Sequence, residues 1–284
     1  MQNLRIIILA TWLLFAGQIK AQFEDRRTMD DRTMERDTRS FYAETKQVSQ
    51  FIRRFNGEEN VMGKRLPYLD TAYRDAGLRR IFIPALFDSA NSDIAPSLKR
   101  AFINDVTNTE DPKFLDFHGK DWFGEAYVKF ARGNTEVFIT LFMELVKENL
   151  GSKWVIADIY YPPYEDLYVR DEDSPSRFLH PMSHELDFMN LDRVFKSDIH
   201  TGDYFYQGYD IDKLSIFLYE LHNEKLKFKY VSGLKFHFFQ IDGWYFEISE
   251  FNRPGMNRGW LISNLIKLEE GQKEQLEDFI LHRE

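Results

Sequence analysis

Residues 125–142 read Glu-Ala-Tyr-Val-Lys-Phe-Ala-Arg-Gly-Asn-Thr-Glu-Val-Phe-Ile-Thr-Leu-Phe, and their alternation decides the fold class. Side chains along a strand point to opposite faces in turn, so a period of two marks strands where a helix repeats every three to four residues. Gly133-Asn134 interrupt the alternation with residues suited to a two-residue hairpin turn. Folding the segment there sets Phe130 opposite Val137, Val128 opposite Ile139 and Ala126 opposite Leu141, an apolar face that must be core. The other face carries Glu125, Tyr127, Lys129, Phe138, Thr140 and Phe142. It is half polar and aromatic, and Tyr127, Phe138, Thr140 and Phe142 are the candidate ligand-binding residues on it.

Working outward, residues 125–130, 136–146 and 153–161 read as three antiparallel strands in a meander. The preceding segment has helical period. Tyr42, Val48, Phe51, Ile52 and Phe55 form one stripe ended by Asn56-Gly57, a second helix is expected from Leu66 or Asp70 to Phe87, and a third covers 96–106 with Pro96 in its first turn. Pro84 lies inside the second and should kink or divide it. Beyond the meander, residues 166–182 are rich in Pro and acids and read as a linker. Ser183 is a good helix N-cap before 185–195, and a longer helix is expected over 211–228 with Leu214, Phe217, Leu218, Leu221 and Leu226 on its stripe. Strands then resume at 231–241, 244–252 and 260–268. Asp242-Gly243 predict a tight hairpin pairing Ile241 with Trp244, Phe239 with Phe246 and His237 with Ile248. A charged helix over 270–282 closes the chain.

The fold class is therefore α+β, with two helix-plus-antiparallel-meander units at 41–165 and 183–284. The second could be a reduced version of the first, since the last strands begin Lys153-Trp-Val-Ile and Gly259-Trp-Leu-Ile.

The N-terminus predicts export. Arg5, the apolar run 6–16 and Ile19-x-Ala21 before Gln22 make a signal peptide over 1–21, because eleven apolar residues fall short of the roughly 20 that span a bilayer. Residues 22–40 repeat an Arg-Thr-Met-acid pattern with almost nothing to bury, which reads as a charged flexible tether. The chain has no cysteine, so disulfides, thiolate metal sites and a lipidated cysteine are excluded. A net charge of −9 with dispersed basic residues argues against nucleic acid as a partner. No later stretch suits an integral membrane span.

Residues 41–165 resemble the nuclear transport factor 2-like superfamily. The resemblance rests on three N-terminal helices, the segment Phe117 to Trp122, the long-stranded meander and a last strand reading Lys153-Trp-Val-Ile-x-Asp158. It implies a bent sheet wrapped around helices as a cone with a pocket. It also implies that exported bacterial members act as non-catalytic accessory or ligand-binding domains. Catalytic members hold a base and an opposing acid or hydroxyl in the pocket, for which Glu125, Tyr127 and Asp158 are candidates only in kind, since no motif marks them.

Other constellations have simpler readings. His180 and His184 with Glu185 lack the HExxH arrangement, since Pro181 and the cap at Ser183 put His180 outside the helix. Asp171-Glu172-Asp173 lack the spaced ligands and glycine of a calcium loop. His237 reads as a core-edge histidine bonded to backbone, and Trp154, Trp244 and Trp260 as core, with sugar platforms the alternative. No nucleotide or serine-hydrolase fingerprint is present. No cofactor, metal or catalytic residue is predicted. The expected function is an exported binding or accessory protein of the bacterial cell envelope, periplasmic or secreted, recognising a partner protein or small ligand, with a homo-oligomer left open. The alternatives are an enzyme with a cone-pocket acid/base site and a structural component of a surface assembly.

Overall fold

The Gly133 hairpin forms with the register that alternation dictates. In the computed structural model, which describes residues 48–60, 64–148, 151–165, 212–253 and 257–283, β1 (Trp122–Arg132) and β2 (Thr135–Glu148) pair Phe130 with Val137, Val128 with Ile139 and Ala126 with Leu141. Gly133 takes φ +60° at the turn, a region glycine enters without steric cost. β3 (Gly151–Tyr160) continues the meander, with a bulge opposite Phe142 and Met143.

A second meander follows as β4 (Leu226–Phe238), β5 (Trp244–Phe251) and β6 (Gly259–Lys267). The sequence divides the two meanders between two units, whereas the structure pairs β1 with β4 from Trp122–Phe238 to Arg132–Leu226. The result is one antiparallel sheet of order β3-β2-β1-β4-β5-β6. Alone, the first meander would leave the outer backbone groups of β1 without partners, and β4 supplies them.

The helical cover crosses over as well. α1 (Val48–Asn56) and α3 (Pro96–Val106), from the N-terminal half, set Phe51, Phe55 and Phe102 against Phe238, Phe246 and Ile262 of the C-terminal strands. α5 (Lys213–His222), from the C-terminal half, sets Phe217 against Ala126, Val128, Phe130 and Ile139 of the first meander. The short α4 (Pro162–Glu165) adds Tyr164 to that second cluster. Both clusters lie on one face of the sheet, because Val128 pairs with Val231, and Trp122, Phe236 and Phe238 continue the same parity.

Several element bounds differ from those read in the sequence. α2 (Ala76–Phe82) starts later than Leu66 or Asp70: residues 67–73 are taken up by turns, Arg74 has φ +57°, and Asp75 caps the helix by accepting from Leu78 N–H at 2.8 Å. Pro84 divides the segment as expected, converting its end to a 3-10 turn at Ile83–Leu86. α5 stops at His222 rather than Phe228, since Glu224 takes φ +54° and Leu226 already belongs to β4. α6 (Gln272–Leu281) closes the chain, with Leu276, Ile280 and Leu281 buried. The expected signal peptide and tether, the first residues of the unit at 41–165, the linker and the helix after Ser183 lie outside the described residues.

The β4–β5 hairpin departs by one residue. Trp244 N–H does donate to Ile241 O at 3.0 Å across Asp242-Gly243. However, Phe239 leaves the ladder to donate to Asp121 O at 2.8 Å, and pairing resumes as Phe238–Phe246, Phe236–Ile248 and His237–Glu247. His237 therefore faces a carboxylate, not Ile248, because a one-residue slip exchanges the two faces.

Candidate functional site

The face opposite α1, α3 and α5, onto which the end of α6 folds with His282 stacked on Tyr160 and Arg283 bonded to Asp158, gathers the polar side chains of four strands. Along β1 it carries Phe123, Glu125, Tyr127 and Lys129; β2 brings Phe142, Thr140 and Phe138 beside them, and β4 brings His237, Lys235 and Gly233. Glu247 of β5 comes opposite His237.

At its centre is a hydrogen-bonded chain. His237 Nε2 lies 2.9 Å from Glu125 Oε2 and its Nδ1 lies 2.8 Å from the Tyr245 hydroxyl. With Glu125 ionised, Nε2–H donates to the carboxylate and Nδ1 accepts from the phenol. The His237 ring stacks on Phe123 at 4.9 Å, and both His237 and Tyr245 are fully buried. Beside it the Glu247 carboxylate accepts from Ser263 Oγ–H at 2.7 Å and Ser249 Oγ–H at 3.2 Å, and faces Lys235 Nζ at 3.4 Å. Burial opposes ionisation of Glu247, yet the charge of Lys235, the electrostatic influence of the adjacent His237 and the Ser263 hydroxyl outweigh it and hold the carboxyl below its ordinary range. Polar groups buried this completely are tolerated because each meets a partner.

Chemically, this chain could pass a proton between Glu125 and Tyr245. Its two inner members are sealed, so a ligand approaching this face meets the Glu125 and Lys235 side chains, each about a quarter to a third exposed, and not the imidazole. The arrangement serves to hold β1, β4 and β5 in place.

Adjoining it is the surface read from the hairpin. Tyr127 and Phe138 stack with ring centroids 4.6 Å apart and planes within 3°, a cross-strand diagonal pair, and Tyr127 is 43% exposed. Lys129 Nζ lies 5.2 Å from the Phe138 centroid and 5.5 Å from that of Tyr230, and pairs with Glu136 at 2.7 Å. The hydrogen bond from Lys129 holds the Glu136 carboxyl low. Gly233, opposite Tyr127, adds no side chain to the surface.

Of the four candidate residues, Tyr127 and Phe138 thus form one unit. Thr140 sits directly opposite Tyr127 and is nearly covered, while Phe142, 2% exposed, packs edge-on against Phe123 at 6.1 Å. Asp158 lies opposite Phe142 on this face, with its carboxylate bound by Arg283 at 2.9 Å. Trp244 and Trp260 are core; the Trp244 indole donates to Asp105 Oδ2 at 2.8 Å. Trp154 packs edge-on to Trp122 at 5.3 Å. His180, His184, Glu185 and the acidic run at Asp171 lie outside the described residues. Sequence reading missed Lys235, Tyr245 and Glu247. Their signal was parity: Lys235 and His237 alternate with Leu234, Phe236 and Phe238, and Tyr245, Glu247 and Ser249 alternate with Phe246 and Ile248.

Among the described residues no helix is long and apolar enough to cross a membrane, and no group of three or more His, Cys, Asp or Glu is placed to hold a metal ion. No protein-family model matches the chain, and neither the curated proteins nor the solved structures compared with it include a similar one.

Proposed function

We propose that this chain is an exported, non-catalytic binding protein of the cell envelope, periplasmic or secreted, that takes a small ligand or partner segment on the Tyr127–Phe138 face. The observation that carries the reading is the parallel stack of these two rings, partly exposed, with Lys129 against Phe138 and the Glu125–His237–Tyr245 chain two residues away along β1. Rigid aromatic surface offers a ligand apolar contact at little entropic cost, with Lys129, Glu136 and Glu125 available to polar groups at its margin. Three helices preceding a long-stranded antiparallel sheet suit the nuclear transport factor 2-like resemblance, under which the cone would be the ligand's enclosure. A proton-transfer enzyme would need an accessible base with a carboxyl raised toward neutrality. Glu247 is shifted the other way and His237 is sealed, which favours binding over catalysis.

Saturation-transfer NMR against a library of monosaccharides, short oligosaccharides and aromatic amides tests this, comparing the wild type with Tyr127→Ala. Tyr127 is half in solvent, so its loss should remove the signals and leave the melting temperature within a few degrees. Phe142→Ala is the contrast: its side chain is core, and truncation should cost about 3–5 kcal/mol of stability. Absence of any hit, or hits indifferent to Tyr127→Ala, refutes the site.

A further inference from the structure

The two margins of the sheet are treated differently. β6 is closed by the chain itself: Phe87 bridges to Ile262, Asp88 N–H donates to Ile262 O at 3.1 Å, and Asn91 Nδ2–H donates to Ser263 O at 2.8 Å. β3 stands at the other margin, and among the described residues no strand pairs with its outer side. It is ten residues long and contains no proline, so the backbone groups it turns away from β2 have no strand to pair with among the described residues. Such an edge is a template for another strand, and proteins that do not use it usually shorten, cover or charge it.

The side chains of β3 specify which strand. Its bulge changes parity between Ile156 and Asp158, so that Lys153, opposite Val146, and Asp158, opposite Phe142, lie on the same face. Trp154 and Ile156, opposite Leu145 and Met143, share the other face, and Ile156 is 40% exposed. Two copies of β3 run antiparallel about a two-fold axis at Val155 would bring Trp154 of each copy beside Ile156 of the other. They would also bring Lys153 of each against the bulge bearing Asp158 of the other. The strand is complementary to its own reverse. The Lys153–Glu148 pair now present is solvent-exposed on both sides and holds the lysine weakly, while Asp158 Oδ2 already accepts from Arg283 at 2.9 Å and would share its carboxylate with the incoming lysine.

We propose that the β3 margin is a homodimer interface, joining two six-stranded sheets through antiparallel β3 pairing with isologous Lys153–Asp158 and Trp154–Ile156 contacts. This rests on the sheet edge and is independent of the ligand face.

Sedimentation equilibrium of the full chain from about 1 to 300 µM, with amide hydrogen exchange over 152–158 at both ends of that range, tests it. The expected result is a concentration-dependent dimer with protection of these amides rising alongside it. Ile156→Lys and Lys153→Glu should each weaken the dimer at least ~10-fold while leaving the monomer's thermal melt in place. Lys153 is exposed, so that second variant keeps the test valid if Ile156→Lys impairs folding. A monomer throughout the range, a dimer indifferent to Lys153→Glu, or an edge that protects only on adding another protein's peptide overturns the proposal.

Discussion

Replacing Arg79 sets two large effects of opposite sign against each other. The side chain is fully buried and no carboxylate among the described residues pairs with it: Nε–H donates to Phe55 O at 3.1 Å, Nη2–H donates to Lys113 O at 2.5 Å, and the guanidinium lies 4.4 Å from the Phe114 centroid and 5.7 Å from that of Phe55. Nη1 has no partner. Burial, reinforced by the like charge of Arg74, lowers its pKa to about 10, a penalty on the charged form of about 3 kcal/mol. Arg79→Met removes that penalty and conserves much of the volume. It also leaves two carbonyls without donors, at about 1–3 kcal/mol each, and abolishes cation–π contacts worth about 1–2 kcal/mol each. Phe55 O lies in the last turn of α1, where carbonyls have no partner within the helix, so the loss falls where it cannot be repaired locally. The losses exceed the relief, and Arg79→Met should be destabilised by about 3 kcal/mol. Urea unfolding followed by fluorescence of the buried Trp122, Trp244 and Trp260 measures it. Arg79→Lys supplies an internal check. An ammonium cannot fork to both carbonyls, and burial lowers its pKa below the usual ~10.4, so the folded form binds fewer protons than the unfolded one on the alkaline side of neutrality. Its stability should climb with pH between about 7 and 9, where the wild-type guanidinium is still charged and the wild type stays flat. An Arg79→Met protein as stable as the wild type would refute the ledger.

Two other perturbations follow from the same structure. Gly57 has φ +70°, and a Cβ added to it would stand 2.9 Å from Arg79 Cγ; Gly57→Ala should therefore lower stability by about 1–3 kcal/mol, read as a fall in melting temperature. Glu247 is held below the ordinary carboxylate range in the folded state, so its stabilisation is present above about pH 4.5 and is lost as acid protonates it. Glu247→Gln should flatten the corresponding part of the pH–stability curve, and an unchanged acid limb would contradict the assignment.

The parts of the fold legible in the sequence are those where one local rule acts alone. The Gly133 turn has two residues, so alternation fixes which partners meet; Pro96 and Pro84 act through their own missing N–H groups, and both mark the helices as expected. What could not be read depends on partners distant in sequence. Nothing local announces that β1 will pair with β4, because each edge of β1 looks alike until a second strand competes for it. Likewise, Leu226 fits the α5 stripe as well as it fits a strand, and only Glu224 at φ +54° ends the helix before it. Of the ligand face, the rings of Tyr127 and Phe138 were visible from the hairpin, while the polar half beside them needed the β4–β5 register.

That register is where the buried charges act. The tight hairpin expected at Asp242-Gly243, carried into the ladder, would set Glu247 opposite Phe238 and Ser249 opposite Phe236. It would push a carboxylate into the α1–α3 core and turn Phe246 and Ile248 toward the polar face. Burying that charge without its partners costs about 3–5 kcal/mol, and uncovering Phe246 and Ile248 about 1.5–3 kcal/mol each. The observed pairing avoids both, at the expense of releasing Phe239 from the ladder to bond Asp121 O. One freed ladder position, already satisfied by another carbonyl, is a small loss against a misplaced carboxylate. The Glu125–His237–Tyr245 chain and Glu247 therefore do for the sheet what a buried polar residue does for a coiled coil: they contribute little net energy when satisfied, and they make the neighbouring register prohibitive. Since Tyr127 lies two residues from Glu125 on the same strand face, the register that satisfies these charges is also the one that places the aromatic stack.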